Sequence, residues 1–402
     1  MQIFYSLAGV LALLACAYAL SDSRRDINWR TVLGAFSLQA GFAALVLYFP
    51  LGQSLLGSIS HGVSGLLAFA DEGIGFVFGD LASGNFIFAI RVLPLIIFLS
   101  AIISLLYYLG IMQWLIKMIG GAIRRFLGTS QVESLAATSN IFLSQSESSL
   151  VIRPFLKNMT RSELFAIMVG GMASVAGSVL GGYAALGIEL KYLIAASFMA
   201  APGGLLMAKM LVPEREVAID QSNIELEKST DVNAIDALAS GAMNGVKVAV
   251  AVGTMLIAFV SVIAMVNAGF EIVGTWFGYD GLTLQLIFGY LFSPLAFAAG
   301  IPWNEALSAG ALIGQKTILN EFVAFMDFVN VKDALTEHSQ TIVTFALCGF
   351  ANIGSIAINL GSIGAMAPER RQDVAKLGFR AVVAATLANL MSAALAGVFI
   401  AL

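Results

Sequence analysis

Uninterrupted apolar runs constrain the fold of this chain more than any other feature of its sequence. A helix needs about 20 consecutive apolar residues to cross the hydrocarbon core of a bilayer. The runs that approach or exceed this length are 3–20, 31–50, 92–113, 192–212, 245–268 and 375–402. Only 11% of the 402 residues are charged, whereas a soluble domain carries about a quarter. The sequence therefore predicts an all-α polytopic protein embedded in a lipid bilayer.

The basic residues predict how the chain is oriented, because Lys and Arg accumulate in cytoplasmic loops. Arg24, Arg25 and Arg30 follow the first apolar run, and no basic residue precedes it. This order is wrong for a cleaved signal peptide, so the run is predicted to be retained as a span with its N-terminus outside. Arg370 and Arg371 precede the last run, which also places the C-terminus outside.

Two polar stretches interrupt the apolar pattern. The first, "NIFLSQSESSL" at 140–150, has basic residues on both sides, so segment 130–157 is predicted to enter and leave the membrane by the cytoplasmic face as a re-entrant hairpin. The second is "GQKTILNEFVAFMDF" at 314–328. Eight spans then complete the prediction, with an interfacial helix at 52–84, and the spans are 3–20, 31–50, 86–110, 163–186, 192–212, 243–268, 341–366 and 375–402.

The order of elements repeats along the chain. A helix, an amphipathic piece, a polar hairpin and two further helices describe 86–212 and describe 243–402 again. The first hairpin opens inward and the second outward, so the two copies are inverted. Inverted repeats with discontinuous elements near the membrane midplane are typical of secondary transporters.

The carboxylates Glu147 and Glu321 need an explanation, because an ionisable group at bilayer depth costs at least about 2.5–3.5 kcal/mol. One explanation is pairing with Lys316 or a basic residue at a helix end. The other is a binding site, in which Gln145 and Glu147 of the first hairpin face Asn320 and Glu321 of the second. Two carboxylates and two amides suit a neutral, hydroxyl-rich solute with amide-like edges.

Two spans are rich in Gly, Ala and Ser, which allows close helix packing in lipid. They contain "GGMASVAGSVLGGY" at 170–183 and "LCGFANIGSIAINLGSIG" at 347–364. Asn352 in the second needs polar partners that small-residue packing does not supply. Breaks in such helices free carbonyl oxygens, which are the ligands that Na⁺ uses in other carriers.

Three other function classes compete with this interpretation. A carrier of an anionic solute or amino acid would call for Arg rather than two carboxylates, and a channel would not explain two opposed hairpins. An intramembrane hydrolase using Ser146 needs a base beside the nucleophile, and the two histidines, His61 and His338, lie elsewhere in the sequence. Hence we expect no catalytic activity.

These motifs resemble one family. "GQKTILNEFVAF" (314–325) matches the signature Gly/Ala-x-Lys-x-x-x-Asn-Glu-Phe-x-Ala of the concentrative nucleoside transporters at every fixed position. "SQSE" (144–147) is similar to that family's Gly-Gln-Ser/Thr-Glu hairpin tip, and "ASVAGSVLGGY" (173–183) and "ALCGFANIGS" (346–355) fall where it has its helix 4 and helix 7 motifs. The similarity in layout covers nearly the whole chain.

The resemblance implies the residues of a site. Gln145, Ser146 and Glu147 would contact the base, Val179 would pack on it, and Glu321, Asn352 and Ser355 would hold the ribose hydroxyls. The substrate set is completed by Ser144, Asn320 and Phe322. Sodium would bind the carbonyls of Asn140, Leu143, Ser174 and Val175 and the Ser174 hydroxyl.

The resemblance also implies a mechanism and an assembly. The chain would be a bacterial inner-membrane symporter, a homotrimer with no cofactor beyond its coupling ion and no nucleic-acid partner, whose substrate domain slides like an elevator against a fixed scaffold. The division that follows is scaffold at 1–113 and 243–270, transport domain at 114–212 and 271–402, and a cytoplasmic linker at 213–242.

Three points stay open in the sequence. Ser144 replaces the Gly of many relatives, and with Gln145 it is more similar to the pyrimidine-preferring pattern, so uridine is the favoured substrate. "SVAGSV" (174–179) is similar to the sodium-coupled pattern, yet some bacterial relatives use protons. The role of Asp71 and Glu72 is either contact with a neighbouring subunit or simple solvation.

Overall fold

The computed structural model describes residues 2–216, 229–279 and 281–402. Every regular element in this part of the chain is a helix. Seven helical segments in it are long and apolar enough to cross a membrane, and two of them, Phe88–Tyr108 and Arg161–Ala185, are made of two consecutive α-helices. The eighth predicted span, 341–366, is present as two shorter helices separated by a break. The protein is therefore a multi-pass helical membrane protein, as predicted. Residues 217–228 of the predicted linker lie outside the described residues.

The first half of the chain contains twelve α-helices in its described part. In order they are α1 (Gln2–Ala19), α2 (Trp29–Leu47), α3 (Pro50–Phe78), α4 (Asp80–Ser83), α5 (Phe88–Arg91), α6 (Leu93–Tyr108), α7 (Ile111–Leu127), α8 (Gln131–Ser139), α9 (Gln145–Val151), α10 (Arg161–Ala173), α11 (Gly177–Ala185) and α12 (Leu190–Leu211). The predicted hairpin 130–157 corresponds to α8 and α9, and the fourth predicted span to α10 and α11.

The second half contains seven α-helices in its described part. They are α13 (Ala234–Trp276), α14 (Leu284–Ala298), α15 (Trp303–Ile318), α16 (Glu321–Val331), α17 (Glu337–Leu347), α18 (Gly354–Met366) and α19 (Arg371–Ile400). Helix α13 begins earlier than the predicted span at 243, because the Asn233 side chain caps its first turn by accepting from the N–H groups of Ile235 and Asp236. The predicted linker 213–242 is shortened accordingly.

The inverted repeat is visible in the order of elements. The first copy contains α6, α7, the hairpin α8–α9, the broken helix α10–α11 and α12. The second copy contains α13, α14, the hairpin α15–α16, the broken helix α17–α18 and α19. Each hairpin is thus followed directly by a helix that is interrupted near its middle, and both interruptions expose backbone groups that an intact helix would use internally.

The centre of the molecule is a packed group of three helices. Helices α10, α12 and α19 contact one another and are buried on nearly all sides, whereas α13 is largely exposed. Helices α1 and α2 also pack on α12 and α19, and α6 packs along α13. Gly241 and Gly245 of α13 make that last contact possible, since a Cβ atom at Gly241 would lie 2.5 Å from Ser104 Cβ and one at Gly245 would lie 2.6 Å from Ile97 Cα.

A buried ion pair holds the base of the first hairpin against this centre. Lys209 of α12 contacts the Glu133 carboxylate of α8 and donates a hydrogen bond of 2.9 Å to Ser162 Oγ. Its Nζ also lies 3.6 Å from Glu214. Glu133 and Lys209 are both buried. A second, more exposed pair joins Asp71 of α3 to Arg91 at 3.8 Å.

Candidate functional site

The tip of the first hairpin is stabilised by its own side chains. Ser144 is the N-cap of α9, and a capping box joins it to Glu147: the Ser144 N–H and hydroxyl both donate to Glu147 Oε2 at 2.9 Å. Glu147 is exposed and Ser146 is half-buried. Glu147 is thus exposed and hydrogen-bonded within its own hairpin tip, whereas Glu321 is buried, so the two carboxylates lie in different surroundings.

The second arm of the second hairpin, α16, is also capped by a side chain at its start. Asn320 is the N-cap of α16 and its Oδ1 accepts from the Val323 N–H at 2.9 Å. Glu321 is consequently the first residue of α16, where the partial positive charge of a helix N-terminus favours a carboxylate. Its side chain is only 5% exposed. The sequence position of Glu321 therefore explains how a buried carboxylate is tolerated here.

Two neighbouring side chains fix the Glu321 carboxylate. Tyr183 of α11 donates its hydroxyl to Oε1 at 2.9 Å, and Asn352 Nδ2 donates to Oε2 at 3.4 Å. Tyr183 is fully buried and its ring packs against Phe322 and Phe325, with centroids 4.6 and 4.8 Å apart. No ion pair within 4 Å joins Glu321 to Lys316 in the part of the chain that the structure describes, although the two groups interact electrostatically, so the direct partners of the carboxylate are Tyr183 and Asn352.

The first hairpin reaches the same place through Gln145. Its Nε2 donates to Ser355 Oγ at 3.2 Å, and its Oε1 has no hydrogen-bond partner among the described residues. The Ser355 hydroxyl donates to Phe350 O at 2.6 Å, and the Ser355 N–H donates to Asn352 Oδ1 at 2.9 Å. Asn352 and Ser355 thus connect Glu321 of one hairpin to Gln145 of the other, across the break between α17 and α18.

The apolar members of the predicted set lie beside these polar groups. Phe322 is buried, contacts the Tyr183 ring, and meets Phe88 edge-on with ring centroids 6.2 Å apart. Val179 is buried in α11, the helix that also contains Tyr183. The structure therefore brings together an aromatic and aliphatic wall, a carboxylate, two amides and a hydroxyl. Such a wall can pack against a ring, while the carboxylate, amides and hydroxyl can bind the polar edge and hydroxyl groups of the same compound.

The four residues predicted to bind sodium lie where the first hairpin meets the break between α10 and α11. Phe142 O accepts from the Gly177 N–H at 3.0 Å, and a Cβ at Gly170 would lie 3.2 Å from Asn140 Nδ2. Within the described residues, no hydrogen bond ends on the carbonyl oxygens of Asn140, Leu143 or Val175. Ser174 differs, because its carbonyl accepts from the Phe350 N–H at 3.1 Å.

Two further residues of the site were missed by sequence reasoning. Asn389 of α19 donates to Ala173 O at 2.6 Å and to Cys348 O at 3.2 Å, which are carbonyls at the inner ends of both broken helices. Asn389 could have been recognised in the sequence as an amide inside the otherwise apolar run 375–402. Tyr183, the other, was part of a motif noted only for its small residues.

Family models match the chain along most of its length. The C-terminal model of the Na⁺ dependent nucleoside transporters matches residues 192–397, the N-terminal model matches 8–81, and a model described as nucleoside recognition matches 89–189.

Curated relatives agree with these matches. An uncharacterized transporter of Haemophilus influenzae is 52% identical, over 100% of this chain and 99% of its own. The nucleoside permease NupC of Helicobacter pylori is 46% identical, over 99% of this chain and 98% of its own. Solute carrier family 28 member 3 of Homo sapiens is 36% identical over 99% of this chain, which spans 60% of the human protein.

The fold agrees as well. CNTnw in an inward-facing substrate-bound state is similar with a TM-score of 0.95 at 51% identity, over 100% of this chain and 98% of that one. A CNTnw variant in its intermediate 2 state gives a TM-score of 0.96 at 51% identity, covering both chains completely. The chain therefore belongs to the concentrative nucleoside transporter family, and it is a transporter rather than an enzyme.

Proposed function

We propose that the protein is a sodium-coupled nucleoside symporter that favours uridine and other pyrimidine nucleosides. The observation that carries this proposal is the buried Glu321 carboxylate, which Tyr183 and Asn352 hold at the meeting point of both hairpins. A carboxylate is a good acceptor for vicinal hydroxyls. A site built to pair with ribose also rejects analogues that lack a hydroxyl, since its own buried groups are then left unpaired.

In this proposal the two ends of the nucleoside are bound by different hairpins. Glu321, Asn352 and Ser355 bind the ribose, and Asn320 fixes the helix start that presents Glu321. Gln145 binds the base through its Oε1, which has no partner among the described residues. Exposed Glu147 and half-buried Ser146 contact the base from the hairpin tip, Ser144 determines how Glu147 is held, and Val179 and Phe322 supply the apolar wall.

The coupling ion is proposed to bind between the first hairpin and the break between α10 and α11. Its ligands are the carbonyls of Asn140, Leu143, Ser174 and Val175 together with the Ser174 hydroxyl. Support comes from the carbonyls there without hydrogen-bond partners, from the buried Asn140 side chain whose two polar atoms are unpaired in the described part of the structure, and from the sodium dependence in the description of the matching family. Neutral oxygens are ligands that suit a hard cation.

We further propose an elevator movement in which α6 and α13 belong to the fixed scaffold. The exposed apolar side chains of α3 and α13, such as Phe76, Ile257 and Met265, supply a surface for lipid and for the neighbouring subunits of a homotrimer. Helices α1 and α2 pack on α12 and α19, so in this division they move with the substrate site, unlike the grouping 1–113 expected from sequence. Orientation in a bacterial inner membrane follows the basic residues, with both termini outside.

Uptake of radiolabelled uridine into liposomes tests the proposal. A sodium gradient is compared with potassium and proton gradients, using wild-type, Glu321→Gln and Ser174→Ala proteins. We expect accumulation with sodium only, loss in Glu321→Gln, and a higher sodium requirement in Ser174→Ala. Accumulation driven by protons would refute the ion assignment and leave the substrate class intact. Absence of uptake under every gradient from folded protein, repeated with purine nucleosides, would refute the substrate, and the remaining alternative would be a cation-coupled carrier of another small polar solute.

A further inference from the structure

Lys316 occupies the position in the second hairpin that Asn140 occupies in the first. Gln145 and Glu321 are the first residues of α9 and α16, the second arms of the two hairpins. Asn140 precedes Gln145 by five residues, and Lys316 precedes Glu321 by five residues. The inverted repeat therefore relates a residue of the proposed sodium site to a lysine.

Backbone contacts support this correspondence independently. In the first repeat Phe142 O accepts from the Gly177 N–H at 3.0 Å, which joins the hairpin to the start of α11. In the second repeat Thr317 O accepts from the Ile353 N–H at 3.1 Å, which joins the hairpin to the start of α18. Counted from the start of the second hairpin arm and of the following helix, the bonded residues of the two repeats differ by one position. Each hairpin is thus attached to the break of the helix that follows it in the same manner.

The Lys316 ammonium makes its two hydrogen bonds to neutral oxygens, and the Glu321 carboxylate interacts with it electrostatically without forming an ion pair in the described part of the structure. Lys316 is 1% exposed. Its Nζ donates to Ala346 O at 3.1 Å, in the last turn of α17, and to Asn389 Oδ1 at 2.6 Å. A helix C-terminus favours a positive charge. These are ligands of the same kind as those proposed for the coupling ion.

The first repeat has the opposite arrangement. Asn140 is 1% exposed, and neither its Oδ1 nor its Nδ2 has a hydrogen-bond partner among the described residues. The Asn140 amide is neutral, so it supplies no positive charge to the break between α10 and α11. Asn389 links the two places, because it accepts from Lys316 at the second break and donates to Ala173 O, directly before Ser174, at the first.

We propose that the Lys316 ammonium is a tethered cation, which holds the break between α17 and α18 as the exchangeable coupling ion holds the break between α10 and α11. The inference rests on the proposed sodium site. It explains why two related breaks need not bind two ions: one is occupied permanently by a side chain. Lys316 is in this sense a positioning residue, since it acts on Asn389 and on the carbonyl end of α17 rather than on the nucleoside.

The test replaces the tethered cation and asks whether a free one takes its place. Melting midpoints of purified wild type, Lys316→Gln and Lys316→Arg are measured against sodium concentration, with N-methyl-D-glucamine keeping the ionic strength constant. We expect Lys316→Gln to melt several degrees lower without sodium and to recover through an additional saturable sodium response. Lys316→Arg keeps the charge and should show the wild-type response only. Lys247→Gln, on the exposed face of α13, is the matched control.

Each outcome decides between the alternatives. A Lys316→Gln protein that melts lower with an unchanged sodium response would mean that Lys316 is only a structural donor, and the inference would be wrong. The sodium response of the wild type tests the proposed coupling site separately, because the variant can gain a response even where the wild type has none. If Lys316→Gln survives solubilisation only in sodium, the inference is supported, and equal loss of folded protein in both salts overturns it.

Discussion

Tyr183 donates its hydroxyl to Glu321 Oε1 over 2.9 Å, although the two residues lie 138 positions apart. The bond joins α11, which begins directly after the proposed sodium site, to the second hairpin. It is the shortest hydrogen bond that a side chain makes to this carboxylate in the described part of the structure. We therefore expect Tyr183 to influence how Glu321 binds the ribose.

Replacing Tyr183 by Phe removes only this hydroxyl. Because a hydrogen bond to a charged group contributes about 1.5–3 kcal/mol, we expect the KM for uridine to rise by about tenfold or more, with kcat less affected. Uptake kinetics in liposomes measure both constants. Tyr192→Phe is the control, since Tyr192 packs against Phe345 without contacting Glu321. An unchanged KM in Tyr183→Phe would contradict a positioning role.

Ser144→Gly removes the hydroxyl that donates to Glu147 Oε2 and leaves the backbone N–H of residue 144 as the other donor. Gly is a tolerable N-cap and costs only a few tenths of a kcal/mol, so folding should be preserved while the Glu147 carboxylate gains freedom. We expect uptake of purine nucleosides to rise severalfold relative to uridine, measured by competition. Ser130→Gly removes the equivalent cap at the start of α8 and should leave this ratio unchanged. The same shift in both variants would assign it to general loosening.

Lys209→Met leaves the buried Glu133 without its cation. Removing one partner of a buried pair costs about 3–5 kcal/mol, and we expect a loss of that order in equilibrium unfolding in mixed micelles with increasing SDS. Lys157→Met breaks the exposed pair with Glu369 and should change stability by about 1 kcal/mol or less. If the two variants unfold alike, the buried pair does not hold the hairpin base.

Gly241→Ala tests the packing of α13 on α6. The added Cβ would lie 2.5 Å from Ser104 Cβ and 2.7 Å from Ser100 O, and such overpacking costs about 1–3 kcal/mol. Gly269 lies on the same helix with nothing within 4 Å of an added Cβ, so Gly269→Ala should be neutral or stabilising by up to about 1 kcal/mol. Thermal unfolding measures the stability of both proteins. A Gly241→Ala protein as stable as Gly269→Ala would show that α6 and α13 do not pack as described.

The elements of the fold were predictable because their signals are local. Hydropathy predicted five of the seven spans to within three residues at each end, whereas α13 extends well beyond 243–268 at both ends and α19 begins before 375. Basic residues on both sides of 140–150 indicated the first hairpin. One local signal was overlooked: "SQSE" at 144–147 has the Ser-x-x-Glu pattern of a capping box, which accounts for Glu147 without a partner in the other hairpin.

The assembly of the site was not predictable from one sequence. Asn389 contacts carbonyls of Ala173 and Cys348, which are 216 and 41 positions away. The choice of partner depends on where the two breaks fall in space, and neither hydropathy nor charge encodes that distance. For the same reason the burial of Lys316 was missed, since a lysine next to a hairpin tip has the same sequence context whether its ammonium faces water or a helix end.

The bridge that Asn389 forms between the inner ends of the two broken helices has a thermodynamic consequence. If the site moves as one unit, as proposed above, these buried hydrogen bonds keep its two halves together. We then expect its intrinsic dissociation constant for the nucleoside to be the same on both faces of the membrane. Equal affinity would mean that the site is half-saturated at the same nucleoside concentration on either face, so the driving force for accumulation comes from the coupling ion and not from a weaker site inside the cell. The protein would accumulate nucleosides without having a lower affinity for them on the cytoplasmic face.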